Sequence, residues 1–475
     1  MRVEQTSFVH FLFNILSSIL GFVATVYFAR VLGAGILGEY ALLLSLVIWL
    51  KLGVQVGIPI AITKRISEGV NQGQYATAGV IIIAILCIIF SIPVLLFGNW
   101  IDIYVGRQVH RFVILLVVAS AGFALVTSLL EGLRDVHLAG LLSPVRVTSR
   151  SLVQAGLVAV GAGLVGLLIG YFVGTLIATV LGVILVARRI QFRLPEQHHF
   201  ERIFDFAKYA WIQTVGSRGF NWIDITILGL FVQSSLIGIY SIAWNVASFL
   251  SLFSNSIENT IFPEVSKLLE NGDREDASRL FSNSLKYAGL FAIPGLVGGY
   301  ILGDDLLAVF GDEFRAGSHI LVLLIGSTLF FSYQRQFRSL LNASDYPDKT
   351  FRIVVIFLGL NTVLNIILIS QYGWTGAAVA TFSSMLFSSI HSYFEAIRVI
   401  KFNLPIKFIF KQLFSSGMMG TILLVVIESS IMPELPYPEV RVLILVGIGA
   451  GIYFLILTVI SPDFRTTIRR NILDI

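Results

Sequence analysis

The residues best placed for chemistry are charges that interrupt long apolar runs. Lys51 falls near the middle of a run over 38–61, and Arg218 near the middle of one over 207–231. Asp224 lies about two turns beyond Arg218. A basic side chain at mid-membrane costs about 2.5–3.5 kcal/mol, so it normally faces a wet cavity or a partner. At 100° per residue, Gln213, Asn221 and Asp224 fall within about 80° of one another and Arg218 about 60° from Asn221, which gives that helix one polar face. Gly216 and Gly219 flank Arg218 and allow the helix to loosen there. Two readings of these charges stand side by side. Lys51 or Arg218 pairs with Asp224 as a buried structural ion pair, or the two bases line a cationic cavity that receives an anionic head group.

Further bases define weaker candidates. Arg30 closes the first run and suits either an exit guard or a side chain snorkelling to the interface. Arg134, Arg146, Arg150, Arg335 and Arg338 ring the expected cytoplasmic ends of spans, where they serve substrate entry or simply follow the charge bias of inner loops. Pro93 and Pro294 interrupt apolar runs and, with Gly216 and Gly219, are candidate hinges.

Composition tells which elements hold these residues. Of 475 residues, 56% are hydrophobic and 13% charged, and the mean hydropathy is +0.86. A soluble domain is about 25% charged, so a soluble enzyme, a nucleic-acid binder and a disordered chain are excluded. The fold class is an all-α polytopic membrane protein. Fourteen continuous apolar runs of spanning length are present, too unbroken for barrel strands. The run from Phe8 to Ala29 is too long for a secretory leader and reads as the first span. The run over 143–161 is the weakest, since Arg146 and Arg150 sit in its first half. With the N-terminus in the cytoplasm, 26 of the 33 basic residues fall on the inner side and five on the outer, which orients the chain and places both termini inside. The outer loops are too short for a domain. The longest inner loop, 257–285, holds an Asn271-Gly272-Asp273 turn and a short helix expected along the membrane surface.

A repeat organises the spans. Gly38-Glu39-Tyr40 is echoed by Gly238-Ile239-Tyr240, and Ser91-Ile92-Pro93 by Ala292-Ile293-Pro294. Leu130 and Asp135 match Leu340 and Asp345, while Gly163 and Gly166 match Gly373 and Gly376. Six spans per copy give both copies one orientation. The expected organisation is an N-terminal lobe (1–190), a basic cytoplasmic linker (191–206), a C-terminal lobe (207–397) and a final helix pair with its tail (398–475).

Several motifs are set aside. The GxGxxG strings at 33–38 and 161–166 join apolar helices and lack the strand and acid of a dinucleotide site, so they read as tight turns. The glycines at 166, 170, 174 and at 295, 299, 303 form small-residue stripes for close helix packing. No Gly-Lys dipeptide occurs, which excludes a Walker A loop. The His198-His199 pair reads as exposed linker, no metal cluster is expected, and the single cysteine, Cys87, lies in an apolar run.

The chain resembles the polysaccharide-transporter (Wzx-type oligosaccharide flippase) family. The resemblance rests on Ala29-Arg30-Val31-Leu32-Gly33 with Gly38-Glu39-Tyr40, on Gly238-Ile239-Tyr240, on Gly373-Trp374-Thr375-Gly376-Ala377-Ala378 and on the fourteen spans. It implies two six-helix lobes around a central cavity and a lipid-tail groove by the last helix pair. It further implies transfer of a polyprenyl-(di)phosphate-linked sugar from the inner to the outer leaflet of the cytoplasmic membrane. Such a protein is not an enzyme; its partners are the lipid-linked substrate, the bilayer and glycan-assembly enzymes, with no nucleic acid. No cofactor is expected, and coupling to an ion gradient or to the membrane potential stays open. The competing classes are a drug/cation antiporter of the same superfamily, which needs acidic lobes, and a membrane glycan polymerase or glycosyltransferase, which needs a sizeable outer loop.

Overall fold

The computed structural model describes residues 3–219, 222–429 and 438–469, less the side chains of 3–12, 14–15, 209–219, 438 and 468. Among the described residues every regular element is helical. In order these are α1 (Val3–Gln55), α2 (Ile58–Ser67), α3 (Gln72–Leu96), α4 (Gly98–Val105), α5 (His110–Gly132), α6 (Val136–Ala159), α7 (Gly163–Ala187), α8 (Gln197–Gly219) and α9 (Ile223–Leu228). They continue with α10 (Ser234–Phe249), α11 (Leu252–Glu270), α12 (Arg274–Ala288), α13 (Ala292–Ala308), α14 (Ser318–Ala343), α15 (Pro347–Val399), α16 (Ile406–Glu428), α17 (Pro438–Ile460) and α18 (Pro462–Ile468). Without water in the bilayer, backbone groups must pair within each segment, and helices do this at every residue.

Nine described helices are long and apolar enough to cross a membrane, or ten when the bent pair α10–α11 counts as one. That is short of the fourteen expected, for identifiable reasons. α1 and α15 each fold back on themselves at one glycine, Gly33 (φ 76) and Gly373 (φ 58). α6 carries two arginines within its span.

The chain divides by contacts into Met1–Gly238 and Ile239–Ile475. The packing boundary therefore lies beyond the basic linker 191–206. That linker is docked in the first unit: Arg202 donates to Tyr75 Oη at 3.2 Å, and Arg65 donates to the Arg202 carbonyl at 3.1 Å. His199 is buried against Tyr75, with ring centroids 4.8 Å apart, and its Nδ1 accepts the Glu196 N–H at 3.1 Å. The expectation of an exposed histidine pair is thus corrected for His199: the linker folds over α3, and the imidazole closes the first turn of α8. In the second unit α16–α18 pack on α13 through Leu302, Phe408, Met419, Leu423, Tyr453 and Phe464.

The repeat is visible in backbone conformation. Gly163 (φ 53) and Gly373 (φ 58) turn the chain between successive spans at matching places, in a region that L side chains avoid. The turns before α6 and α15 each hold one left-handed residue, Arg134 (φ 65) and Asp345 (φ 61). Each closes with a backbone bond of 2.9 Å, Asp135 to Leu130 and Tyr346 to Leu341. The inner loop expected over 257–285 is helical except at the Asn271–Asp273 turn, where Gly272 takes φ 83.

The two prolines prove to be unlike. Pro93 lies in the last turn of α3, just before the joint with α4. Pro294 lies in the first turn of α13, directly after the joint with α12, where its missing N–H leaves nothing unpaired. The helix is continuous in one copy where it is broken in the other.

On the opposite face of the first unit, Asp102 ties α4 to α5. It accepts the Val109 and His110 N–H groups at 2.7 and 2.9 Å, and the His110 Nδ1 lies 2.7 Å from its second oxygen. Burial alone raises the carboxyl pKa, but these hydrogen bonds outweigh it and hold Asp102 below the usual carboxylate value. A lowered pKa stabilises the fold above the unfolded value, and that contribution disappears as pH falls through the folded one. Asp102→Ala should accordingly lower the melting temperature more at pH 7 than at pH 3, read by thermal unfolding at both.

Candidate functional site

Lys51 is half-buried, about midway between the kink at Gly33 and the end of α2 at Ser67. Span two is not one rod. After Gln55 the chain takes left-handed angles at Val56 (φ 34) and Gly57 (φ 73) before α2 begins, so Lys51 sits about one turn ahead of a break. Span eight is broken too: α10 and α11 meet at 44° across Leu250 and Ser251. Broken spans leave backbone groups open inside the membrane and occur where they line protein or water rather than lipid. Arg30 is exposed one turn before Gly33. The span expected over 38–61 is broken instead, because Gly57 takes a left-handed angle and Pro59 starts the new helix α2, signals that a window average of hydropathy passes over.

Asp224 is 5% exposed, in the short helix α9. That helix is held within the first unit by Trp49, whose Nε1 donates to Thr226 Oγ1 at 2.8 Å, and by Tyr104, whose hydroxyl donates to the Thr226 carbonyl at 2.7 Å. The side chains of Gln213, Gly216, Arg218 and Gly219 lie outside the described residues, as does Asn221 entirely.

The clearest departure concerns Arg146 and Arg150. α6 begins at Val136, seven residues before the span read from hydropathy, and Pro144 lies inside it. Arg146 is therefore about 15 Å and Arg150 about 21 Å from the start of a helix some 36 Å long, at 1.5 Å per residue. They occupy its middle, not its cytoplasmic end. Arg146 Cζ lies 4.5 Å from the centre of the Phe123 ring, and Arg150 Cζ 5.2 Å from that of Tyr171, geometry in which the ring face favours the cation. One turn on, Gln154 donates to Tyr40 Oη at 3.0 Å and to the Leu167 carbonyl at 2.7 Å. The glycine stripe explains how α7 comes so close: a Cβ at Gly174 would lie 2.5 Å from Arg150 Cα.

Arg134 is exposed in the turn before α6. In the second unit Arg335 and Arg338 lie near the end of α14 that precedes the Asp345 turn, as expected. Arg335 pairs with Glu258 of α11. Nearby, Gln336 donates to the Ser254 carbonyl at 3.1 Å and Gln334 to Ser388 Oγ at 2.5 Å. Deeper in this unit Asn361, fully buried, donates to Ser384 Oγ at 3.0 Å and accepts from Asn365 at 3.1 Å. Sequence reasoning passed over these amides because it looked for charges inside the spans, and their partners Ser254, Ser384 and Ser388 lie on other helices or distant turns. Among the described residues no group of three or more His, Cys, Asp or Glu is arranged to hold a metal ion.

The chain shares the fold of the lipid II flippase MurJ in its inward closed conformation, with a TM-score of 0.81 over 97% of this chain and 100% of that one at 17% identity. Fold and apolar helices together define a multi-pass membrane protein. The chain belongs to the polysaccharide biosynthesis protein family, whose model matches residues 3–269; the MatE model matches residues 214–367. Two relatives come from Haloferax volcanii. The probable flippase AglR is 29% identical over 99% of this chain and 98% of its own length. The probable low-salt glycan biosynthesis flippase Agl15 is 30% identical over 85% of each.

Proposed function

We propose that this protein is a flippase of glycan assembly. It moves a polyprenyl-(di)phosphate-linked sugar from the inner to the outer leaflet of the cytoplasmic membrane by alternating exposure of a basic site, with both termini in the cytoplasm. The observation that carries the reading is Lys51, half-buried beside the break in span two. The names of the two Haloferax relatives point the same way. A sugar phosphate cannot enter hydrocarbon, because its hydroxyls and charges would lose their hydrogen bonds. A lysine held at mid-depth offsets that loss for the head group, while the prenyl chain stays in lipid. The bases Lys51, Arg146 and Arg150, with Arg218 read from the sequence, outnumber the buried acid Asp224 in this unit, so the charge suits an anion better than the cation of a drug antiporter.

Deletion of the gene tests this. Lipid-linked sugar should accumulate in a form that an impermeant oxidant cannot reach in intact cells, while the surface glycan is lost. An unchanged outer pool in the deletion strain would remove the basis for the proposal.

A further inference from the structure

Within the first unit, Arg150 and its surroundings form a second basic site that the Lys51 reading does not use. Arg150 is half-buried in the middle of α6. Its Nε is shielded from solvent and has no hydrogen-bond partner, and among the described residues no acid pairs with it. An arginine stays ionised at any accessible pH, and a guanidinium with an unused buried N–H is costly in a membrane. Arg146, one turn earlier on the same face, adds a like charge that raises the cost. The rings of Phe123 and Tyr171 lie against the two guanidinium groups. They orient the cations but cannot accept the in-plane N–H bonds. Gln154, one turn on, donates through its amide nitrogen to Tyr40 Oη and to the Leu167 carbonyl, and makes no hydrogen bond to Arg150 Nε.

The missing partner is a planar or tetrahedral oxyanion, which the guanidinium fork holds with two parallel hydrogen bonds. We propose that Arg150 is an anchoring residue of the first unit that binds an oxyanion of the translocated lipid-linked glycan. This rests on the flippase reading. The oxyanion has two sources of the same chemistry, the prenyl (di)phosphate and the carboxylate of an acidic sugar. Tyr171 holds the Arg150 guanidinium against its ring face near the middle of α6, so the site selects head groups that bring a negative charge there.

The test uses the full chain in detergent and two probes, a prenyl diphosphate bearing a neutral hexose and the same lipid bearing a hexuronate. Binding is compared among the wild type, Arg150→Gln and Arg150→Lys, with thermal unfolding to confirm the fold. Arg150→Gln should weaken binding about ten- to a hundredfold, the range for loss of a charge-assisted hydrogen-bond pair, and Arg150→Lys should recover part of it. Weakening toward both probes assigns the diphosphate; weakening toward the hexuronate alone assigns the carboxylate. Equal binding by the wild type and a folded Arg150→Gln, or no binding by the wild type, overturns the inference. Should Arg150→Gln fail to fold, the Arg150→Lys variant decides, since it keeps the charge and loses the bidentate fork: binding weaker than wild type supports the site and unchanged binding overturns it. A wild type that binds both probes in detergent but moves neither in vesicles defeats the flippase reading and leaves this site standing.

Discussion

Lys51→Ala should reduce translocation of a prenyl-linked sugar about a hundredfold, the effect of removing one partner of a desolvated charge contact, while the protein folds and inserts as before. The reasoning separates a functional lysine from a structural one. A basic residue at mid-membrane opposes folding by about 2.5–3.5 kcal/mol unless neighbours offset it. If Lys51 served only an internal ion pair, its removal would strand the partner and lower the melting temperature. If it is held for substrate, Lys51→Ala should remain folded and lose transport well beyond any loss of stability. Reconstituted vesicles with a leaflet-specific reagent give the rate, and thermal unfolding gives the stability. Lys51→Arg should keep measurable transport. Normal flipping by Lys51→Ala would end the assignment of this residue.

The second large effect is on packing. Gly174→Leu should lower stability by about 3 kcal/mol, the upper end of the range for overpacked interiors. A Cβ at this position would stand 2.5 Å from both the amide nitrogen and the Cα of Arg150. The obstruction is backbone, so no rotamer change relieves it, and α6 and α7 must separate. Gly156→Leu is the matched control, since a Cβ there meets nothing within 4 Å. That variant should be neutral or slightly stabilising, because a helical glycine disfavours the helix by about 1 kcal/mol. Thermal unfolding in detergent compares the two. A Gly174→Leu protein with the wild-type melting temperature would show that the close approach of α6 and α7 is dispensable.

The two experiments bear on one part of the molecule from different sides. The glycine stripe of α7 lets α6 lie close, and α6 in turn holds Arg146 and Arg150 over Phe123 and Tyr171. Loosening that pair of helices should therefore disturb Arg150 as well as stability, whereas Lys51, on another helix, should be affected only through the fold.

Much of the architecture was legible from residues alone. Continuous apolar runs require helices in lipid, and the turns at Gly33, Gly163 and Gly373 follow from small residues between such runs. The turns at Arg134 and Asp345 are alike in conformation, but they align Asp345 with Arg134 and Leu341 with Leu130, one residue out of register with the sequence echo that paired Asp135 with Asp345. The positions of Lys51 and Arg30 also follow from counting along apolar runs. Other features were passed over. The breaks at Val56–Gly57 and at Leu250–Ser251 carry local signals, Gln55, Gly57 and Pro59 at the first and Ser248, Ser251 and Ser254 at the second, but a hydropathy window averages over them. His199 looked like linker because its partner Tyr75 is far away in sequence.

Hydropathy and charge are sums over neighbours in the chain, so they determined that this protein is helical, spans a membrane many times, is duplicated, and holds charges where lipid tolerates few. Depth and companionship are properties of neighbours in space. The start of α6 at Val136, with Pro144 tolerated inside it, moved Arg146 and Arg150 from a helix end to its middle. The rings beneath them come from α5 and α7, and the acid facing Arg335 comes from α11. Only packing could decide these, because the energy of a charge in a membrane depends on what lies within a few ångströms of it and hardly at all on the residues next to it in sequence.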